Sequence, residues 1–434
     1  MSVINDDNCA WIKDLAPRSN IKSLDTNEKC DFLVVGAGFT GLSASRILGL
    51  TNKNKKIIIV DAQLAGEGAS SRNSGYLVDT TLNDGFSSNK DVCSYKKKVR
   101  IYEEGIKTVK KFVDENQADC EWNECGKYFA SSRMEDEKKI KHFSDILSSL
   151  IFKNKILERE DLTKKIGTNF YKIGIYTEGG ILLHPAKLSR SMVEKLPINV
   201  TLYEKSPLII WKKKNNKIEC TFKKNTIVAD KIIFCTNGFL SSQNVIPRYS
   251  FPITLTASMT RPLTEREFES IGKPKEWGVL PVRPMGATIR MTKDRRILIR
   301  NTAELNDPKF MKNPDLERNI KLHKIGLVKR FHELSKNLIE SSWSGIVCRS
   351  GNGSQIFEKI DNNIFVAGCY NGSGIGVGTF FGEQIALMAS NQDSDKISII
   401  HQRQKPNWLP PQPFLNIGIH LRLLYERFIA NSEI

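Results

Sequence analysis

Residues 31–35 (DFLVV) form a short run of β-favouring side chains that passes directly into Gly36, Gly38 and Gly41. Beyond them Leu42, Ala44, Ile47 and Leu48 recur at helical spacing, so the pattern predicts strand, glycine turn, helix. After the polar loop 52–56, a second apolar run at 57–60 ends in Asp61. Val99, Tyr102, Ile106, Val109 and Val113 repeat every three or four residues with Lys and Glu opposite, which predicts a helix packing one face on a core. Residues 288–300 (TIRMTKDRRILIR) alternate and break at Lys293 and Asp294, the pattern of a hairpin. Residues 363–382 (NIFVAGCYNGSGIGVGTFFG) read as strand, glycine cluster, helix. The tail 408–434 begins Pro-rich and ends in a basic amphipathic helix carrying Leu421, Leu424 and Phe428, a pattern that suits packing on the domain and, as the alternative, contact with a membrane surface. No repeat and no low-complexity tract is visible.

The glycine spacing GxGxxG carries the first chemistry. Gly36 permits a tight turn, Gly38 permits backbone to approach a pyrophosphate, and Gly41 permits close packing of helix on strand. The helix N-terminus offers unpaired N–H groups and a positive dipole to an anion. Asp61 follows Gly41 by twenty residues and ends the second strand, where an acid accepts hydrogen bonds from an adenosine ribose. This start suits NAD or FAD. The long polar loop 66–75 (GEGASSRNSG) favours the larger cofactor, because a plain NAD domain proceeds there to another helix and strand.

With these residues in place the chain resembles the FAD-dependent amine and amino-acid oxidoreductases of the D-amino-acid oxidase superfamily, nearest to the γ-glutamylputrescine oxidases. The resemblance rests on VVGAGFTGLSAS at 34–45, on residues 68–75, on Leu183, His184, Pro185 and Ala186 before the strand region 200–208, on ADKIIFCTNGF at 229–239, and on 363–382. It implies an α/β fold, with a discontinuous Rossmann-like FAD-binding domain (30–115, 176–249 and 341–405). A second, antiparallel-sheet substrate domain (116–175 and 250–340) roofs the flavin. An N-terminal extension (1–29) and a C-terminal tail (406–434) complete the layout. It further implies non-covalent FAD held by Gly36, Gly38, Phe39, Thr40, Gly41, Asp61 and Ala62, by Gly68, Ala69, Ser70, Arg72, Asn73 and Gly75, by Leu208, by Thr236, Asn237 and Gly238, and by Gly368, Gly372, Gly374 and Ile375. Substrate-side candidates are Arg290, Trp343, Arg349, Asn371 and Ser373.

The implied reaction removes hydride equivalents from the carbon bearing an amine and leaves an imine that water hydrolyses. No general base is required if the amine binds neutral, and the six histidines form no constellation. Departures from the family narrow the substrate. Gly376 stands where N-methyl amino-acid oxidases place a cation for the carboxylate, Ser373 replaces a histidine, and the strand at 296–300 has no counterpart of their oxygen-activating lysine. The flavin-linking cysteine of the sarcosine enzymes falls near Gly345, with Cys348 close by. A longer amine with a distal carboxylate or amide, held through Arg283, Arg290 or Arg349, fits these departures. The electron acceptor is oxygen or a quinone or other carrier.

Composition changes this picture little. The chain has 434 residues, 40% hydrophobic and 26% charged, the content of a folded globular protein. No apolar run reaches membrane-spanning length, and the polar N-terminus does not read as a secretory signal, so a cytoplasmic setting is expected. Nine scattered cysteines without a CxxC pair exclude a disulfide framework, and Cys120 with Cys125 lacks a second ligand cluster, so no metal is expected. The net charge of +17 attracts polyanions non-specifically. It keeps open a flavoprotein acting on a modified RNA base, and a catalytically silent flavin-binding protein is the other alternative.

Overall fold

The apolar run at 31–35 lies at the centre of a parallel sheet. The computed structural model describes residues 8–82, 92–305 and 313–433. Strand Glu28–Val35 pairs in parallel with Ile57–Val60 on one side and with Thr226–Phe234 on the other; Val200–Tyr203 and Ile364–Gly368 extend the sheet outward. An antiparallel edge strand, Ile356–Asp361, and the hairpin of Ile210–Lys214 with Lys217–Thr221 complete eight strands. Leu33, Val34, Ile58, Ile59, Ile233 and Phe234 are wholly buried. Both faces of these strands are covered, which is why they read as unbroken apolar runs and do not alternate.

Helix Phe39–Thr51 packs against helix Gly374–Ala389, and helix Val92–Asn116 crosses the latter. A Cβ on Gly382 would lie 2.3 Å from the Thr40 carbonyl, and Ser43 Oγ donates to the Thr379 carbonyl at 2.8 Å. This contact holds the start of the first helix against the middle of the second.

The second sheet also has eight strands, in the order Ile339–Arg349, Phe251–Thr260, Ile297–Glu304, Thr288–Met291, Gly278–Pro281, Lys127–Ser131, Ile173–Thr177, Asn154–Glu158. Thr288–Met291 and Ile297–Glu304 form the hairpin read from alternation. Neighbours are antiparallel except Gly278–Pro281 with Lys127–Ser131. Two boundaries drawn from sequence move. Ile339–Arg349 pairs with Phe251–Thr260 along ten residues and so belongs to the roofing sheet, although 341 onward was assigned to the cofactor part. Strand Ile173–Thr177 likewise straddles the 175/176 division. Strand pairing is set by partners distant in sequence, which local pattern does not carry.

The N-terminal extension is structural. In helix Ala10–Lys13, Trp11 is buried edge-on against His184 with ring centroids 4.8 Å apart, and its Nε1 donates to the Asn73 carbonyl at 2.9 Å.

Candidate functional site

The carboxyl ends of the parallel strands and the inner face of the second sheet enclose one continuous cavity of about 1880 Å³. That exceeds the ~300–1,000 Å³ of an ordinary small-ligand pocket and leaves room for a dinucleotide together with a substrate.

At its floor, Gly36 adopts φ +99°, and a Cβ there would lie 2.9 Å from the Cys235 carbonyl. A Cβ on Gly41 would lie 1.8 Å from the Gly36 carbonyl, so only glycine lets this helix sit on its strand. Helix Phe39–Thr51 begins at Gly38 with no acidic side chain in its first turn, and Gly38, Phe39 and Thr40 line the cavity. Ser70 Oγ accepts from the Phe39 N–H at 2.9 Å. At the end of Ile57–Val60, Asp61 accepts from the Ala37 N–H at 2.7 Å and from the Gln63 N–H at 2.8 Å. Burial pushes its carboxyl above the usual range, against the pull of those N–H groups.

A second helix start faces the same space. Helix Gly374–Ala389 has Ser373 at its N-cap, no side-chain cap and no acid in its first turn. Tyr370 and Thr40 share a hydroxyl–hydroxyl hydrogen bond of 2.7 Å that joins the two helix entrances. Asn371, at φ +55°, accepts from the Ser350 N–H at 3.0 Å and donates to the Cys369 carbonyl at 3.0 Å. Asn237 accepts from the Cys369 N–H at 2.9 Å and so fastens the T-N-G turn to this loop. A Cβ on Gly68 or Gly372 would meet nothing within 4 Å, so backbone there is bare to an incoming group. Two helix N-termini without acidic side chains, bare glycine backbone and one acid at the strand end fit an adenine dinucleotide: the N–H groups suit phosphates, the acid suits sugar hydroxyls.

Of the residues expected at the cofactor, Gly36, Gly38, Phe39, Thr40, Asp61, Ala62, Gly68, Ala69, Ser70, Arg72, Asn73, Leu208, Thr236, Asn237, Gly238, Gly372, Gly374 and Ile375 line the cavity. Gly41, Gly75 and Gly368 do not. A Cβ on Gly75, at φ +67°, would strike the Leu183 carbonyl at 2.2 Å, and one on Gly368 would strike Leu240 at 2.8 Å, so both are packing glycines. Arg72 and Asn73 shape the loop. Arg72 donates to the Glu67 and Ser344 carbonyls at 3.1 and 3.2 Å, and Asn73 donates to the Ser70 carbonyl at 2.7 Å.

The substrate-side candidates divide. Arg349, Asn371 and Ser373 line the cavity. Arg290 does not: it is fully buried, and its Nη1 donates to the carbonyls of Ser74, Gly75 and Leu183 at 2.9–3.1 Å while Nη2 pairs with Glu276 at 3.3 Å. It clamps the polar loop to the second sheet. Trp343 is also wholly buried, with Nε1 donating to the Arg72 carbonyl at 3.1 Å. Arg283 is held by Asp136, Glu135 and the Ile429 carbonyl.

Sequence reasoning missed Arg300. It lines the cavity from strand Ile297–Glu304 and donates to Thr288 Oγ1 at 2.7 Å, but makes no ion pair with a described residue. Burial, and then Arg349 nearby, bring its guanidinium down to about 10. The signal was present: in ILIR, Ile297 and Ile299 pack in one cluster and Leu298 in another, so alternation puts Arg300 on the inner face. Tyr102, read as core packing, is buried and also lines the cavity.

Gly376 is tightly packed: a Cβ there would press on the tip of Leu77 at 2.7 Å and approach the Gly105 backbone at 3.2 Å. A larger side chain at this position would have to displace Leu77 and strain the crossing of helix Val92–Asn116 at Gly105. The lysines lining the cavity among the described residues, Lys212 and Lys213, belong to the hairpin of the first sheet. Among the described residues no group of three or more His, Cys, Asp or Glu is placed to hold a metal.

A strand–glycine–helix unit at the switch of a parallel sheet, roofed by a second sheet across a dinucleotide-sized cavity, is the architecture of a two-domain protein that binds a nucleotide cofactor. Residues 31–388 match the family described as DAO, FAD dependent oxidoreductase, and the chain belongs to that family; its cofactor is FAD. It is 22% identical over 420 residues to a Haemophilus influenzae protein described as "Probable oxidoreductase OrdL", covering 93% of this chain and 92% of that one. It is 23% identical over 361 residues to the γ-glutamylputrescine oxidoreductase of Escherichia coli, covering 81% and 82%. Glycine oxidase from Geobacillus kaustophilus superposes with a TM-score of 0.71 at 16% identity, over 85% of this chain and 96% of that one.

Proposed function

We propose that the enzyme oxidises the C–N bond of an amine or amino-acid-derived amine to an imine, which water hydrolyses, and that the substrate carries an anionic group away from the reacting carbon. FAD, bound non-covalently, supplies the acceptor for the hydride. Gly36 to Thr40 would hold its pyrophosphate, Asp61 and Leu208 its adenosine end, and Gly372 to Ile375 with Thr236 to Gly238 its ring system. Cys348 remains a free thiol in this reading.

Arg300 carries the substrate reading. A half-buried guanidinium facing a large cavity, bonded to one hydroxyl and lacking a described carboxylate, is placed to receive an anion from the cavity side. Arg349 faces the same space and adds positive potential. A carboxylate held there, with nothing cationic at Gly376, favours a longer substrate such as a γ-glutamylated amine over sarcosine, glycine or D-alanine. The similarity to γ-glutamylputrescine oxidoreductase supports this class.

The basic runs lie on separate elements, and several are paired with local acids: Lys110 with Asp114, Lys213 with Asp361, Lys214 with Glu219. An anaerobic screen for bleaching of the flavin band tests the reading. Reduction by γ-glutamylated amines, with little by the three small amino acids, is expected; rapid reduction by one of the small amino acids alone overturns the distal-anion assignment.

A further inference from the structure

Helix Phe414–Ala430 has two apolar faces, and only one is used. Ile419 and Leu423 pack with Ile253 and Ala303 at the second sheet, and Arg427 donates to the Ala303 carbonyl at 2.6 Å. Phe414, Leu415, Gly418, Ile419, Arg422 and Leu423 are among the residues that form a wall of the cavity. On the opposite side Ile417, Leu421, Leu424, Tyr425 and Phe428, with Phe414 at the edge, are exposed, Leu421 at 61% and Phe428 at 81%. At about 100° per residue these six positions fall within an arc of roughly 100°. The other exposed large apolar side chains, such as Leu50, Met134, Ile151 and Ile325, are scattered through the chain, which is ordinary for a protein surface. A contiguous stripe is not.

We infer that this stripe docks on an anionic lipid surface. The helix has the form of one that lies in a membrane interface: aromatic and aliphatic side chains along one face, flanked by His420 and Arg427 on one side and by Arg422, paired with Glu426, on the other. Trp408, 54% exposed and stacked under Arg248 just before the helix, adds a side chain suited to the same depth. Charge selects the occupant. The chain carries +17, which favours an anionic bilayer over a second, equally positive copy. No helix among the described residues is long and apolar enough to cross a membrane, so the contact is with the surface. Because the same helix walls the cavity, docking holds the cavity beside the bilayer.

Flotation of the full-length holoenzyme with vesicles tests this, using phosphatidylcholine alone or mixed with phosphatidylglycerol at low ionic strength. Leu421 and Phe428 do not line the cavity, so the double variant Leu421→Glu, Phe428→Glu should keep its flavin and its melting temperature. Wild type is expected to float with the anionic vesicles, and the variant to lose partitioning by roughly 100-fold or more, having lost two apolar anchors and gained two repelled charges. Three results overturn the inference: wild type staying at the bottom with anionic vesicles; the variant floating as well as wild type, which would mean charge alone binds; or a wild-type dimer, abolished in the variant, with no vesicle binding.

Discussion

Replacing Arg300 by methionine separates an anchor from a structural arginine, because the two roles move stability in opposite directions. The guanidinium is enclosed apart from its access to the cavity, donates to Thr288 Oγ1 and has no described acidic partner. Methionine keeps much of the volume and removes a charge that folding had to desolvate, so the melting temperature should stay the same or rise. Catalysis should move the other way. A charge-assisted, two-pronged contact to a substrate anion is worth about 1.5–3 kcal/mol, which is about 10- to 150-fold in kcat/KM. With a γ-glutamylated amine the loss should fall mainly in KM, and lysine should restore part of it, since a point charge replaces the fork. Steady-state kinetics beside a thermal melt on the same samples provide the assay. A variant that melts well below wild type while keeping its kcat/KM would refute the reasoning, and Arg300 would then be a structural residue like Arg290.

Arg290→Met should instead destabilise the protein by about 3–5 kcal/mol, because three loop carbonyls and Glu276 lose their buried partner; a denaturant titration reads this directly. Introducing arginine at Gly376 should lower stability and flavin content and not create activity on sarcosine, since its Cβ would strike Leu77; a soluble, flavin-replete variant that oxidises sarcosine would show room where none is seen. Asp61→Ala should weaken FAD binding by about 1.5–3 kcal/mol, measured by flavin fluorescence on dilution. His323 and His184 are buried with pKa values lowered by desolvation to about 3 and about 4. The unfolded chain therefore takes up their protons first as pH falls below about 6.5. Their contribution is present above that pH and lost toward pH 4, at up to about 1.4 kcal/mol per pH unit for each, and melts across pH 7 to 4 should show a decline that His323→Gln reduces.

The cofactor side of the molecule was legible because its chemistry is local. One strand, its glycine turn, the following helix and Asp61 lie within about thirty residues, and the second helix start follows its own strand directly. The substrate side was not. Arg290 and Arg300 stand ten residues apart on paired strands, yet one turns into the interior and the other into the cavity. Their difference is set by what crosses over each strand: the 66–75 loop closes over Arg290, while open space faces Arg300. Spacing does not reveal that. The boundary error at Ile339–Arg349 has the same origin, since that strand's partner lies some ninety residues upstream. The close approach of Gly376 to Gly105 is likewise a contact between helices distant in sequence, which spacing does not carry.

The central claim is that the cavity between the two sheets holds FAD without a covalent bond. Acid precipitation of the purified protein, followed by measurement of flavin in supernatant and pellet, addresses it most directly. The expected result is a yellow protein that releases one FAD per chain into the supernatant. Flavin retained in the pellet would contradict the non-covalent assignment, and a protein that stays colourless after reconstitution with FAD would contradict the site itself.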